Sequence, residues 1–307
     1  MKRVSPLALA LAVLPASAFA QGIEIAPGIV VTGDVALQYY HVGGGDEGTL
    51  LDGDVTLGWR SASNGALSFG AEATFDGLYD SEADDLLANY WASVVIGIAP
   101  GDIRIGAPRP VIETMSVMPE FGTNRLVNLA LTGISGSATS LLSREDGGMT
   151  PGISFQTAEG APLSWGVSYH RVEAASTDVD ALEGVLNYST GTTTLFAKAQ
   201  HLDPKGGASD SALSIGALYE GGPLTLAIET GRSDLISDTD FGRLHAGYQI
   251  SDALKVSGDM LYTDSGSSNT LWSLGMEYGF GPGAYVSAGA LTGDDAEVYD
   301  LAVGWRF

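Results

Sequence analysis

The sequence predicts an all-β chain that closes into a transmembrane antiparallel β-barrel of about 16 strands, and three features carry that expectation. Apolar and polar residues alternate with period two along most of the chain. Clusters of Gly, Pro, Asn and Asp interrupt the alternation at regular intervals, and no apolar run beyond the N-terminus is long enough for a membrane helix. Period two means a strand with one greasy and one polar face.

The N-terminus reads as an export signal. Lys2 and Arg3 are a basic start, "PLALALAVLP" (6–15) is an apolar core too short to span a bilayer, and Ala18-Phe19-Ala20 is the small-x-small pattern of a cleavage site. Residues 1–20 are therefore expected to be removed, leaving 21–307 as the barrel. The chain has no cysteine, which excludes a disulfide framework, a thiolate metal site and a Cys nucleophile. A formal charge of −23 excludes nucleic acid as a partner, because phosphate binding needs a basic surface. The 42 glycines are spread through the alternating segments, where small side chains let strands tilt and curl.

The segments follow in order. In "GIVVTGDVALQYY", Val31, Val35, Leu37 and Tyr39 oppose Thr32, Asp34, Ala36 and Gln38; next, Val55, Leu57 and Trp59 oppose Asp54, Thr56 and Arg60. Leu67, Phe69, Ala71, Ala73 and Phe75 oppose Ser68, Gly70, Glu72 and Thr74. The pattern returns at Leu213–Tyr219, Leu244–Ile250 and Trp272–Phe280, and a one-residue slip would turn the charges into lipid. Short turns at "SASNG", "APGD", "AEGAP", "STGT", "EGGP", "ISDA" and "FGPGA" alternate with connections read as longer and acidic, such as "VGGGDEGT", "DSEADDLL" and "LDPKGGASD". An even strand count puts both termini on the side of the short turns. Tyr39, Tyr40, Trp59, Tyr90, Trp91, Tyr219 and Tyr278 fall toward segment ends, where interface girdles form. The tail "VYDLAVGWRF" alternates to its last residue, placing Val303, Trp305 and Phe307 against lipid and Asp300 and Arg306 in water.

One connection breaks the rhythm. Residues 107–149 run without sustained alternation, and a loop of that length in a compact fold usually has a function; inside a wide barrel that function is to fold inward and narrow the lumen. Within it, "MPEFG" (118–122) resembles the Pro-Glu-Phe-Gly element in the third loop of Gram-negative general porins, and "LSFGAEATF" and "VSGDMLYT" look like strands of that family, nearest its alphaproteobacterial members.

The resemblance implies a homotrimeric outer-membrane channel whose third loop forms a constriction, with loop carboxylates facing basic residues on the wall. Carried over by motif, Glu120 is the constriction carboxylate; the family's second acid, four residues earlier, is Ser116 here, with Glu113 as its substitute one turn before. The expected basic partners are Arg60, Arg104 and Arg243, with Lys198, Lys255 and Arg306 also on the lumen face. Asp34, Asp54, Glu72 and further carboxylates of the same parity outnumber these bases, which predicts mild cation preference. Phe307 and Trp305 resemble the family's C-terminal signal for the outer-membrane assembly machinery. Outer-membrane lipid and lipopolysaccharide are the implied surroundings.

Two other readings stay open. A substrate-selective porin would carry a dedicated solute site. A barrel enzyme would need a nucleophile and base, yet His41, His170, His201 and His245 sit in no catalytic motif, G-x-S-x-G and H-E-x-x-H are absent, and "GFGPGA" lies in a turn with no helix after it. No cofactor is expected, apart from a divalent cation that acidic loops such as "DSEADD" (80–85) could hold.

Overall fold

The computed structural model describes residues 22–61, 67–146, 148–158, 160–174, 177–235, 238–293 and 297–307; residues 1–20, expected from the sequence to be an export signal, and Gln21 lie outside them. Each alternating segment is a strand paired with its sequence neighbours. After the short β1 (Ile23–Ala26) come β2 (Ile29–Val42), β3 (Glu47–Arg60), β4 (Leu67–Asp80), β5 (Asp85–Ile98), β6 (Gly101–Ala107), β7 (Gly152–Thr157), β8 (Leu163–Ala174) and β9 (Thr177–Thr190). The second half adds β10 (Thr193–Pro204), β11 (Asp210–Gly221), β12 (Leu224–Ser233), β13 (Thr239–Gln249), β14 (Leu254–Asp264), β15 (Ser268–Gly279), β16 (Ala284–Thr292) and β17 (Glu297–Arg306). Strand β17 pairs back onto β2 from Val298↔Val42 to Arg306↔Asp34, so β2 to β17 form a closed antiparallel ring without a free edge.

The seam explains the tail. Phe307 exchanges two backbone hydrogen bonds with Gly33, of 2.7 and 2.9 Å, and β1 pairs with β2 from Ile23↔Val31, immediately beyond it. A Cβ at Gly33 would stand 3.1 Å from Phe307 Cζ, so the missing side chain is what lets the ring lie on the wall, 5.1 Å from the Trp305 ring. Phe307 is thus buried at the seam, only 9 % exposed, whereas Val303 keeps the lipid-facing exposure expected of it.

Outward residues Leu37, Leu57, Phe69, Leu213, Ile215, Leu274 and Leu301 form an exposed apolar belt that would be untenable in water and suits lipid. Tyr39, Trp59, Tyr90, Tyr219 and Tyr278 join it, but Tyr40 and Trp91 are buried. Each follows an outward aromatic by one residue, and the pleat turns it inward. The connections opposite the short turns are also not the long loops expected: residues 43–46, 81–84, 205–209 and 265–267 suffice. The strands run on through their acidic ends, where outward tyrosines meet carboxylates, as in Tyr39–Glu47 (2.7 Å) and Tyr169–Asp180 (2.7 Å). Among the described residues no three His, Asp or Glu side chains converge in a group that could hold a metal ion.

The long connection, 108–151, folds into the lumen and is helical rather than irregular: α1 (Val111–Met115), α2 (Arg125–Ser135) and α3 (Ala138–Asp146). Asn124 caps α2, its side chain accepting from Val127 N at 3.1 Å. One side of α2 sets Val127, Leu131 and Ile134 against Leu261 and Leu291; another sets Leu126 and Leu129 against Tyr40, Leu50 and Leu78. Strands β6 and β7 are short, with 7 and 6 residues, and α3 packs on β5 and β8 beyond them.

Candidate functional site: the lumen constriction

Polar residues on the inner wall hold the third loop around its length. At its start, Ile112 N donates to Glu183 Oε2 (3.2 Å) and the Ser137 hydroxyl donates to Glu183 Oε1 (2.6 Å), so one buried carboxylate on β9 ties the first turn of α1 to the residue preceding α3. In the middle, Arg243 donates to the Pro119 carbonyl (2.9 Å), Gly122 N to Asp259 (3.1 Å), the Thr123 hydroxyl to Asp300 (2.7 Å) and Arg125 N to Gln38 (3.0 Å). At the end of α2, Lys198 Nζ donates to the Ser135 carbonyl (2.6 Å) and pairs with Glu229 (2.6 Å), a carboxylate with no exposure at all.

Between loop and wall lies a cavity of about 310 Å³, with Asp52, Asp54 and Asp76 on the wall and Arg109, Arg125 and Arg144 on the loop. These pair across it: Arg109 with Asp54 at 2.8 Å, Arg125 with Asp52 at 3.2 Å, and Arg144 with Asp76. The expected polarity is therefore reversed on this side, with carboxylates on the wall and guanidinium groups on the loop. The reason is register. Asp34, Asp54 and Asp76 are direct partners across β2, β3 and β4, an adjacency of like charge that is unfavourable unless cations cover it. Tyr285 donates to Asp34 (2.8 Å) and accepts from Arg125 (3.0 Å), joining the row to the loop.

The residues singled out from sequence separate into four places. Glu113, Glu120, Arg243 and Lys198 line the cavity. Glu113 pairs with Arg109 (2.6 Å) and accepts from the Ser140 hydroxyl; burial works to raise its carboxyl, but those two partners outweigh burial and hold it below the usual carboxylate range. Glu120 is open to water, its side chain 68 % exposed and 3.9 Å from Arg125. Arg60 and Arg104 do not line the cavity; they share Asp102, at 2.7 and 3.5 Å, where β3 and β6 meet the short turns. Arg306 bridges Asp34 (3.0 Å) and Glu277 (2.6 Å) across the seam. Glu72 and Lys255 take inward positions by alternation, paired in register with Ser93 and Glu277. Sequence reasoning missed Arg109, Arg125 and Arg144. The signal available was that the 43-residue interruption (107–149), in a chain with 14 Lys and Arg, holds three of its arginines.

A closed ring with a lipid-facing belt, a polar lumen and an inward loop is the construction of a membrane pore. The family model for Gram-negative porins matches residues 7–297, and the chain belongs to that family. Among solved structures it is similar to OmpF of Salmonella typhi in complex with daunomycin (TM-score 0.72, 13% identity, 93% of this chain and 100% of that one). It is similar also to a mutant of Rh. blastica porin (0.66, 16%, 91% and 100%) and to a loop L8 deletion mutant of OmpT from Vibrio cholerae (0.67, 14%, 91% and 99%). These identities speak for the fold. No curated protein matches the chain. Family and fold point to a channel rather than an enzyme.

Proposed function

We propose that the chain, after loss of residues 1–20, is a passive diffusion channel for ions and small hydrophilic solutes, mildly preferring cations. The observation that carries this reading is the charged cavity of about 310 Å³ between loop and wall, at the small end of the range that holds organic ligands. Loop arginines cover the wall aspartates pair by pair, so the surplus carboxylates set the preference, Glu120 foremost because it is exposed. The lumen aromatics favour a general pore over an aromatic-lined solute track, since Tyr40, Phe121, Phe196, Phe241 and Tyr285 are buried. Trimer formation, lipopolysaccharide contact and recognition of Phe307 and Trp305 by the assembly machinery are part of the proposal and rest on the family.

In a planar bilayer the purified protein is expected to conduct KCl, to close in three equal steps, and to give a reversal potential in a salt gradient on the cation side. An anion-side potential would refute the preference, and closure in single steps would refute the trimer. Glu120→Gln is expected to move the reversal potential toward zero without altering thermal unfolding; an unchanged potential would place Glu120 outside the ion path.

A further inference from the structure

The outward belt is not even. On the outer face of β11 to β15 its large side chains surround a groove in two connected parts, of about 640 and 420 Å³, which share Ala246, Gly258 and Leu274. Both volumes are in the range that holds organic ligands. Register explains the hollow. Leu226, Ala246, Gly258 and Leu274 are consecutive partners across β12 to β15, so two small residues lie between two leucines. On the side away from the short turns the next outward row is Ile228, Leu244, Met260 and Trp272; toward the short turns Tyr248 and Val256 close it.

Neither a turn nor a close approach requires the glycine. Gly258 does not have a positive φ, and a Cβ added there would meet nothing nearer than Leu274 Cδ2 at 3.4 Å. A glycine inside a strand weakens it, so the missing side chain matters for what lies outside the wall. Apart from Thr193 at one edge, the outward side chains that line the groove are apolar. His245 and Asp259 contribute to its floor, but their side chains turn into the lumen and bond each other at 2.7 Å.

The groove is continuous with the belt that the fold sets in lipid, and this narrows the choice of occupant. From the level of Leu244 to that of Tyr248 is about 14 Å along the strand, close to half of a hydrocarbon core roughly 30 Å thick. A protein surface in the groove would find almost nothing to hydrogen-bond, whereas protein interfaces carry about one such bond per 100–200 Å². A hydrocarbon chain needs none. In lipid it is packing that decides, since an unfilled hollow forfeits dispersion contacts and small residues let a neighbour reach the backbone.

We infer that this groove is a site for one acyl chain of an outer-membrane lipid, held longer than the chains around the rest of the belt. The inference rests on the reading of the belt as lipid-facing. Ala246 and Gly258 are the floor on which the chain lies, with Leu226, Met260, Trp272 and Leu274 beside it.

The test places the purified protein in vesicles of phosphatidylcholine brominated on its acyl chains, which quench tryptophan on contact, and then exchanges the lipid for detergent. Two variants are compared, with buried Trp91 common to both. Trp59→Phe with Trp165→Phe and Trp305→Phe keeps Trp272 at the groove; Trp59→Phe with Trp272→Phe and Trp305→Phe keeps Trp165, exposed on β8 and outside the groove. Both are expected to lose emission in the vesicles. After the exchange Trp165 is expected to recover and Trp272 to stay quenched, and Gly258→Leu, which fills the groove, to let Trp272 recover. Recovery of both tryptophans, or retention unchanged by Gly258→Leu, overturns the inference while the lipid-facing belt stands. Trp272 unquenched in vesicles that quench Trp165 also overturns it and puts a protein surface over the groove. Should Gly258→Leu not fold, the comparison of Trp272 with Trp165 still decides. Quenching of neither overturns the reading of the belt, and the inference with it.

Discussion

Replacing Lys198 by methionine is expected to cost about 3–5 kcal/mol of unfolding stability, the range for breaking a buried ion pair from one side. Lys198 is 4 % exposed and its partner Glu229 not at all. Glu229 Oε1 accepts from Lys198 Nζ (2.6 Å) and from the Ser214 hydroxyl (2.7 Å), while the Arg243 guanidinium stays 3.7 Å from the other oxygen. Without Lys198 the carboxylate keeps one distant cation and one hydroxyl, and the Ser135 carbonyl at the end of α2 loses its donor. Arg243 offsets part of the loss, which places the expectation at the lower end of the range. The double variant Lys198→Met with Glu229→Leu removes both charges and is expected to recover most of the stability, because the desolvation cost leaves together with the attraction. Denaturant unfolding in detergent, followed by loss of strand signal, measures both. A single variant within about 1 kcal/mol of the native chain, the value of an exposed pair, would mean that water reaches Glu229.

The barrel was legible because strand parity is local. Leu67 to Phe75 announces its two faces from neighbours alone, and sixteen such segments leave few alternatives to closure. The loop was not, because what holds it is distant in sequence: Arg144 meets Asp76 across 68 positions and Thr123 meets Asp300 across 177. Its helices escaped notice for a related reason, since α2 is amphipathic toward two barrel surfaces rather than one core. Apolar doublets held a usable trace of that docking. Tyr39-Tyr40, Leu50-Leu51, Leu78-Tyr79 and Leu261-Tyr262 each break strict alternation by adding an inward apolar residue, and all four inward members are buried. Where a lumen face turns apolar, something must cover it, and the only long interruption in the chain was available to do so. The charge reversal between loop and wall was out of reach of motif transfer. Pro119-Glu120-Phe121-Gly122 fixes where the loop turns, whereas the wall it faces is set by Asp54 and Asp76, which lie in unrelated segments.

Gly289→Val is expected to unseat the turn that follows Pro119, raising conductance and lowering the unfolding midpoint together. Gly289 on β16 and Gly275 on β15 are register partners on the inner face, forming a floor without side chains. Thr123 rests on that floor: a Cβ added at Gly289 would fall 1.9 Å from Thr123 Oγ1 and 2.9 Å from Asp300 Oδ2, and one at Gly275 would fall 2.9 Å from Thr123 Cγ2. The 2.7 Å bond between Thr123 and Asp300 lies directly over the site, so valine cannot enter without breaking it. Overpacking of this kind costs about 1–3 kcal/mol, and each displaced hydrogen bond about 1 kcal/mol more. Gln38 donates to the Thr123 carbonyl (2.8 Å) and to Asp300 (3.0 Å), so moving Thr123 also disturbs the residue that receives Arg125 N. The effect therefore spreads from a β16 methyl group to the arginine that covers Asp52. Gly53→Ala is the matched control, because its Cβ would meet nothing nearer than Val35 Cγ2 at 3.7 Å, an ordinary contact. Equal conductance and equal midpoints for the two variants would show that the loop does not sit on this floor in the membrane, and the loop would then have to be held from the Lys198 and Glu183 sides alone.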